Sequence, residues 1–420
     1  MQSLIHQIEA RLQNLPVPVA VHLPAGQQVG PSQAPVTLTF HDWSSLATMA
    51  AGQIGRMAED FVENRIQLKG QMRDLMAVAA KLLPGQPIED RSAWWTHILH
   101  RAKSLAAHTP IKDARQIQFH YDISDDFYAL WLDPRRVYSC AYYRSAEMSL
   151  AQAQEAKLDH ICRKLMLQRG ERFLDIGSGW GGLMLWAAEH YGVQATGITL
   201  SKNQHAYVEA EIARRGLQGQ ARVLLLDYRH LPEDTLFDKI SSVGMFEHVG
   251  QANMPQYFGK IRRLLRPGGL ALNHGITAGA PGVDQLGHGM GDFIEKYIFP
   301  GGELLHVSQL LRETALAGLE MVDTENLRPH YARTLWAWSD ALEAHLDQAT
   351  TILRGTAGEQ GAERILRAYR LYLAGSAMSF EQGWISLHQM LSTRPDGDLT
   401  TGKLPGAQSQ YPFNREGMYR

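Results

Sequence analysis

One nine-residue run, Leu174-Asp175-Ile176-Gly177-Ser178-Gly179-Trp180-Gly181-Gly182, constrains the fold more than any other part of the chain. The apolar stretch 172–176 predicts a short strand, and the spacing of apolar residues over 183–190 predicts a helix. The glycines between them let the backbone turn tightly and let a ligand approach the main chain. A helix over 154–167 precedes this unit. After it, patterns alternate: strand 193–200, helix 202–215, strand 221–227, strand 237–245, helix 254–265, a turn at Arg266-Pro267-Gly268-Gly269, then strand 270–273. Such alternation predicts an α/β fold with a parallel, doubly wound, Rossmann-like sheet. Ligand contacts in an open sheet gather at the carboxyl ends of its strands. Those ends fall at 177–182, 199–204, 227–228, 246–248 and 274–276.

The glycine run fits Gly-x-Gly-x-x-Gly literally, which on its own points weakly to a dinucleotide. Two features oppose that reading. Asp175 stands where dinucleotide folds carry an apolar residue, and the second strand ends Gly197-Ile198-Thr199-Leu200-Ser201 with no acid for a ribose diol. A tight turn without a ligand is the plainest alternative, although clustered glycines cost backbone entropy. Gly-x-Gly-x-Gly after an acidic residue resembles the first motif of S-adenosylmethionine (SAM) methyltransferases.

The 420 residues allow two or three domains, and 45% hydrophobic content excludes a disordered chain. A formal net charge of −2 gives no global basic field for nucleic acid. Two cysteines cannot build a disulfide framework or a four-thiolate zinc site, which fits a reducing cytoplasm. The amphipathic N-terminus lacks the basic start of a signal peptide. No apolar run reaches the ~18 residues of a membrane span. Residues 1–92 read as a small α/β unit: helix 4–15, strands 17–23 and 35–40, helix 43–51, an extended stretch 61–69 and helix 72–83. This unit weakly resembles sterol-carrier-like lipid-binding domains. A helical connector follows over 93–135, then a catalytic domain over 136–395. Within that domain 277–305 is Gly-rich and lid-like, the later part is helical, and a last strand spans 384–391. Residues 396–420 read as a polar tail.

Taken in order, HYDISDDFYALWLD, YSCAYY, LDIGSGWGG, GITLSKNQ, GMFEHVG, RPGG, KYIFPGGEL, ENLRPHYARTLWAW and FEQGWISLHQ resemble the cyclopropane-fatty-acyl-phospholipid synthase family. That family includes the mycolic acid cyclopropane synthases, and the likeness runs from about 118 to 391. It implies a SAM-dependent methyltransferase acting on a cis double bond in a phospholipid acyl chain. The alkene takes the methyl group, and the resulting carbocation loses a proton to bound bicarbonate as the ring closes. The family's bicarbonate site maps onto Cys140, Glu247, His274, Ile276 and Tyr331. Its SAM contacts map onto Tyr138, Ser139, Gly177, Gly179, Thr199, Leu200, Gln204, Asp227 and Tyr228, with Asp175 as the acid of the glycine motif. The resemblance further implies a cytoplasmic protein in peripheral contact with a phospholipid bilayer, and a homodimer is left open.

Each site has a plainer reading. Cys140 could be a nucleophile beside His274 or an inert buried thiol. Glu247 could cap a helix. The four aspartates over 118–136, with His120, lack the compact spacing of a metal site. Most of the aromatic residues suit a core, although a carbocation needs a π-face or a dry pocket. Lys260, Arg262, Arg263 and Arg266 read as a solvated face that could also touch lipid headgroups. Beyond cyclopropanation, the same cation could give methyl-branched, methylene or hydroxylated chains. A lipid-binding protein with a degenerate methyltransferase domain is the non-enzyme alternative.

Overall fold

A computed structural model describes residues 2–83, 87, 124–281, 286–299, 302–396 and 415–419. The chain begins α1 (Gln2–Leu12), β1 (Val19–His22), β2 (Gln28–Val29), β3 (Val36–Phe40), α2 (Trp43–Ala50), α3 (Ile54–Val62), β4 (Ile66–Lys69) and α4 (Met72–Leu82). It continues α5 (Asp125–Ala129), α6 (Leu150–Lys164), β5 (Arg172–Ile176), α7 (Gly182–Tyr191), β6 (Gln194–Thr199), α8 (Lys202–Arg214), β7 (Ala221–Leu225), β8 (Phe237–Val243), α9 (Met254–Leu264) and β9 (Leu265–Ala278). Last come α10 (Met290–Tyr297), α11 (Val307–Leu316), β10 (Glu320–Asn326), α12 (Arg328–Ala344), α13 (Leu346–Glu381), β11 (Ile385–Thr393) and α14 (Glu416–Tyr419). Most of the expected connector, 93–135, lies outside the described residues; the part described holds α5.

The chain forms two compact units. The first comprises residues 1–90, 285–300 and 335–384; the second comprises 91–284, 301–334 and 385–420. This grouping departs from the linear boundaries 1–92 and 136–395, because two later segments pack with the N-terminal residues. In the first unit a sheet of order β2-β1-β3-β4 carries alternating buried residues on β3, Val36, Leu38 and Phe40. The extended stretch expected over 61–69 is shorter in the structure: Phe61 and Val62 close helix α3, and the strand itself starts at Ile66. Ile54, Met57, Ala58 and Phe61 recur at helical spacing. Helix α10, from the segment expected as a lid, packs on α3 through Lys296–Glu59 at 2.7 Å and Tyr297 Oη donating to Glu63 at 2.8 Å. Arg364 of α13 reaches the same Glu63 at 2.6 Å. The Gly55 amide donates to His288 O at 3.0 Å, and a Cβ at Gly55 would collide with the backbone of Gly289. Gly55→Ala is therefore expected to cost about 1–3 kcal/mol and to lower the melting temperature in a calorimetric scan.

In the second unit a seven-stranded sheet runs β10-β11-β9-β8-β5-β6-β7. Strands β9, β8, β5, β6 and β7 are mutually parallel, whereas β11 is antiparallel to both its neighbours. Side chains alternate between two cores. Phe173, Ala195, Leu270 and Leu272 enter one, while Leu174, Ile176, Ile198 and Ala271 enter the other. Burial on both faces is why these strands do not alternate between apolar and polar residues along their length. The expected turn at Arg266-Pro267-Gly268-Gly269 is instead a kink inside β9. Gly268 adopts φ +74°, its N–H donates to Arg394 O at 2.8 Å, and Arg394 N–H donates back to Gly269 O at 3.1 Å.

The C-terminus departs from the expected polar tail where it is described. Met418 is buried, and its carbonyl meets His160 Nδ1 of α6 at 2.8 Å. Residues 397–414 lie outside the described residues. Among the described residues no helix is long and apolar enough to cross a membrane.

Candidate active site

Strand order reverses at β5, whose neighbours β6 and β8 are followed by connections to opposite ends of the sheet. A crevice at the carboxyl ends of these strands is the expected ligand position. One cavity opens there, and all ten residues expected to contact SAM line it: Tyr138, Ser139, Asp175, Gly177, Gly179, Thr199, Leu200, Gln204, Asp227 and Tyr228. Gly177 and Gly179 take φ +76° and +55°, left-handed values that a side chain would strain. The amides of Gly177 and Ser178 both donate to Ile198 O, at 3.1 and 2.9 Å, which ties the turn to β6.

Around the cavity, polar groups are held by local bonds. Thr199 Oγ1 donates to Gln204 Oε1 at 2.8 Å, while Ser201 caps α8 through Gln204 N. Both carboxylate oxygens of Asp227 are clasped by Arg229, at 2.9 and 2.5 Å. Asp175 is fully buried and accepts Ser241 Oγ at 2.7 Å. Burial pushes its carboxyl up to about 6. Tyr138 sits in an aromatic cluster, 5.6 Å from Tyr128 and 5.3 Å from Trp131, and Tyr128 reaches Trp180 of the glycine loop at 5.1 Å. The aspartates of this segment do structural work: Asp133 accepts Arg135 N and Val137 N, and Asp125 accepts Trp180 Nε1.

None of the five residues expected at the anion site lines that cavity. Three of them converge beside it, on β9 and the turn after β8. Glu247 Oε1 accepts Ile276 N–H at 2.7 Å. A Cβ at the intervening Gly275 would stand 2.8 Å from the same oxygen, so only glycine leaves room for the carboxylate. His274 lies two residues back on the same face of β9, and its Nδ1 meets Gln389 Nε2 of β11 at 3.2 Å. With the amide donating there, His274 Nε2 carries the proton. Burial raises the Glu247 carboxyl to about 7 and holds His274 well below its ordinary value, hence neutral. Among the described residues, no hydrogen-bond partner meets the buried Glu247 Oε2 or His274 Nε2.

Cys140 and Tyr331 meet around Leu327. Tyr331 N–H donates to Leu327 O at 3.1 Å, and the Cys140 thiol lies 3.9 Å from the same oxygen. Leu327 N–H donates to Leu387 O at 2.8 Å, and Leu387 pairs with Ile276. The two groups of residues thus belong to one bonded patch of sheet. Cys140 is buried and its thiol pushed far up by desolvation, which opposes the nucleophilic reading.

Sequence reading missed three supports. Gln389 orients His274, and Arg229 clasps Asp227. The third, Lys157, lines the cavity from the buried face of α6. Its signal was visible, because Lys157 stands three residues after Gln154 and four before Ile161, on the apolar side of the helix. The basic stretch expected as a solvated face or headgroup contact is largely ion-paired. Lys260 and Arg263 bind Glu233, each at 2.9 Å, and Arg266 binds Asp238 at 2.9 Å.

Known proteins resemble the chain throughout. The family described as mycolic acid cyclopropane synthetase matches residues 108–390. A probable fatty acid methyltransferase of Pseudomonas putida is 40% identical over 419 residues, covering 99% of this chain and all of its own length. Cyclopropane mycolic acid synthase MmaA2 of Mycobacterium tuberculosis is 37% identical over 65% of this chain and 94% of its own. A crystal structure of a mycolic acid cyclopropane synthase with S-adenosylhomocysteine (SAH) and CTAB superposes with a TM-score of 0.61 at 36% identity. It covers 67% of this chain and 98% of that one.

Proposed function

Because the chain belongs to the mycolic acid cyclopropane synthetase family, we propose that this SAM-dependent methyltransferase cyclopropanates cis double bonds in phospholipid acyl chains, with bicarbonate in the patch around Glu247. The observation that carries the reading is the pair of buried orphans, Glu247 Oε2 and His274 Nε2. One is an acceptor and the other a donor, and buried polar groups without partners are costly. Bicarbonate offers the complement, a hydroxyl for the carboxylate and oxygens for the imidazole. The residues therefore fit the group.

When bound, SAM supplies an electrophilic methyl carbon and bicarbonate supplies a base for the proton lost on ring closure. The chain's own residues do the rest. The glycine loop and the ends of β6 and β7 hold the methyl donor at the switch point. Ile276 N–H fixes one oxygen of Glu247 and leaves the other to accept a proton. Gln389 fixes the His274 tautomer that donates from Nε2. Tyr331 is buried and contributes an aromatic face to a site from which water must be kept, because water would trap the cation as an alcohol. With no membrane-crossing helix among the described residues, contact with a bilayer would be peripheral and reversible.

The decisive experiment incubates the protein with SAM and vesicles of a defined monounsaturated phospholipid. Acyl chains should gain one CH2 unit by mass spectrometry and show cyclopropane ring protons by NMR; chains that gain nothing would refute the proposal. The near full-length likeness to a fatty acid methyltransferase favours a second reading, in which the cation loses a different proton and leaves a methyl branch or a methylene group. The same NMR spectrum separates these products. Depleting carbonate from the buffer is expected to cut turnover at least about 10-fold, with recovery on adding bicarbonate. Turnover indifferent to carbonate would remove bicarbonate from the reading.

A further inference from the structure

Three cationic side chains line the cavity at the switch point: Arg136, Lys157 and Arg229. Two have carboxylate partners. Arg229 is clasped to Asp227 at 2.5 Å, and Arg136 faces Asp125 at 3.5 Å while its guanidinium stacks on Tyr207. Lys157 differs. Its side chain is 1% exposed, and its ammonium donates to one neutral group, Ser139 Oγ, at 2.8 Å. Among the described residues no carboxylate lies within ion-pair distance of it. The two carboxylates that act on it electrostatically are held by other groups: Asp133 by the amides of Arg135 and Val137, Asp175 by Ser241.

A buried ammonium with one neutral partner is expensive unless something else arrives to pair with it. Desolvation already pulls Lys157 down to about 8. The scaffold nonetheless fixes it firmly. Three residues earlier on α6, Gln154 Nε2 donates to Val137 O at 3.2 Å and Ser139 O at 2.9 Å. The segment 137–139 and the helix are thereby locked together, with the ammonium at the cavity wall. SAM carries one anionic group, the carboxylate of its methionine moiety.

We propose that Lys157 binds that carboxylate, with Ser139 holding the ammonium in place, and that this contact orients the amino-acid end of SAM. The ribose and adenine then lie toward Thr199, Gln204 and Asp227 at the ends of β6 and β7. The proposal rests on placing SAM in this cavity. An ammonium paired to the carboxylate is a selectivity device: it rewards ligands with the amino-acid tail and ignores those without it.

The test compares two ligands by calorimetry. SAH has the carboxylate; methylthioadenosine keeps the adenosine and sulfur but lacks the amino-acid part. Lys157→Met is expected to weaken SAH about 10- to 100-fold, as for a lost hydrogen bond to a charged group, and to leave methylthioadenosine within about 2-fold. Lys157→Gln, which keeps a polar group in place, should behave alike, and methylthioadenosine binding reports that each variant is folded. Equal weakening of both ligands would make Lys157 a merely structural residue and overturn the proposal, as would no weakening of either. Asp227→Ala should weaken methylthioadenosine. If it does not, the cavity assignment itself fails and the Lys157 contact with it.

Discussion

Glu247→Gln is expected to lose about 100- to 10,000-fold in turnover while binding SAM as tightly as the parent. The glutamine fits the same space and can still accept Ile276 N–H, but its other end becomes a donor and can no longer take up a proton. SAM affinity is spared because Glu247 lies outside the cavity that would hold the cosubstrate. Stability separates this loss from misfolding. Burial raises the Glu247 carboxyl from 4.5 to about 7, so the folded state holds its proton more tightly than the unfolded state does. The stabilising contribution of that proton is present below about 4.5 and is lost as pH rises through 7. At pH 8 the variant, which has no charge to bury, should melt at or above the parent temperature. For the parent at saturating bicarbonate, kcat/KM should rise with pH through about 7, as the free carboxyl ionises. A variant that keeps parental turnover, or a profile flat across that range, would strip Glu247 of its role.

The second large effect concerns stability. Lys164 is fully buried, and its ammonium reaches Glu325 at 2.5 Å and Asp323 at 3.4 Å. Glu325 also meets His160 Nε2 at 2.8 Å, and the other ring nitrogen of His160 holds the Met418 carbonyl. Tyr142 stacks on the His160 ring at 4.2 Å. Glu325→Ala removes the common partner and leaves a buried ammonium without its shortest ion pair, at an expected cost of about 3–5 kcal/mol. The pH dependence has the opposite sign to that of Glu247. His160 and Lys164 lower the Glu325 carboxyl from 4.5 to about 2 against the desolvation that opposes them. Its stabilisation is therefore complete above about 4.5 and disappears as pH falls toward 2, a difference of about 3 kcal/mol. Urea denaturation at pH 7 and pH 3 should show a gap between parent and variant that is about 2 kcal/mol smaller at the second. A constant gap would mean that the carboxylate charge is not what stabilises this cluster.

Much of the second unit was legible in the chain. The alternation of short strand and helix patterns marks β5, β6 and β8, and a backbone that must turn with positive φ at Gly177 and Gly179 admits few residues other than glycine. The ten cavity residues came from the family resemblance; seven of them lie in the strand-end segments that the alternation locates, whereas Tyr138, Ser139 and Asp175 do not. What stayed hidden depended on partners distant in sequence. Glu233 and Asp238 neutralise the basic face of α9 and the start of β9, and nothing in the local pattern names them. The later part of the chain reads as helical, but nothing in it names α3 and α4, on which α13 packs. Helix α14 has a short apolar content, and only the His160 ring and α6 make Met418 a core residue.

The first unit is assembled from residues 1–90, 285–300 and 335–384. On the ribosome its sheet and first four helices emerge early, but α13, which packs on α3 and α4, is completed only near residue 381. The N-terminal residues must therefore wait, with that apolar surface uncovered, while most of the second unit is synthesised. Domain-by-domain folding from the N-terminus is closed to this chain. The second unit can start from its parallel strands β5 to β8 well before residue 335, but it too waits for a late element, since β11, which joins β9 to β10, is made only after α13; neither unit closes until that strand has emerged.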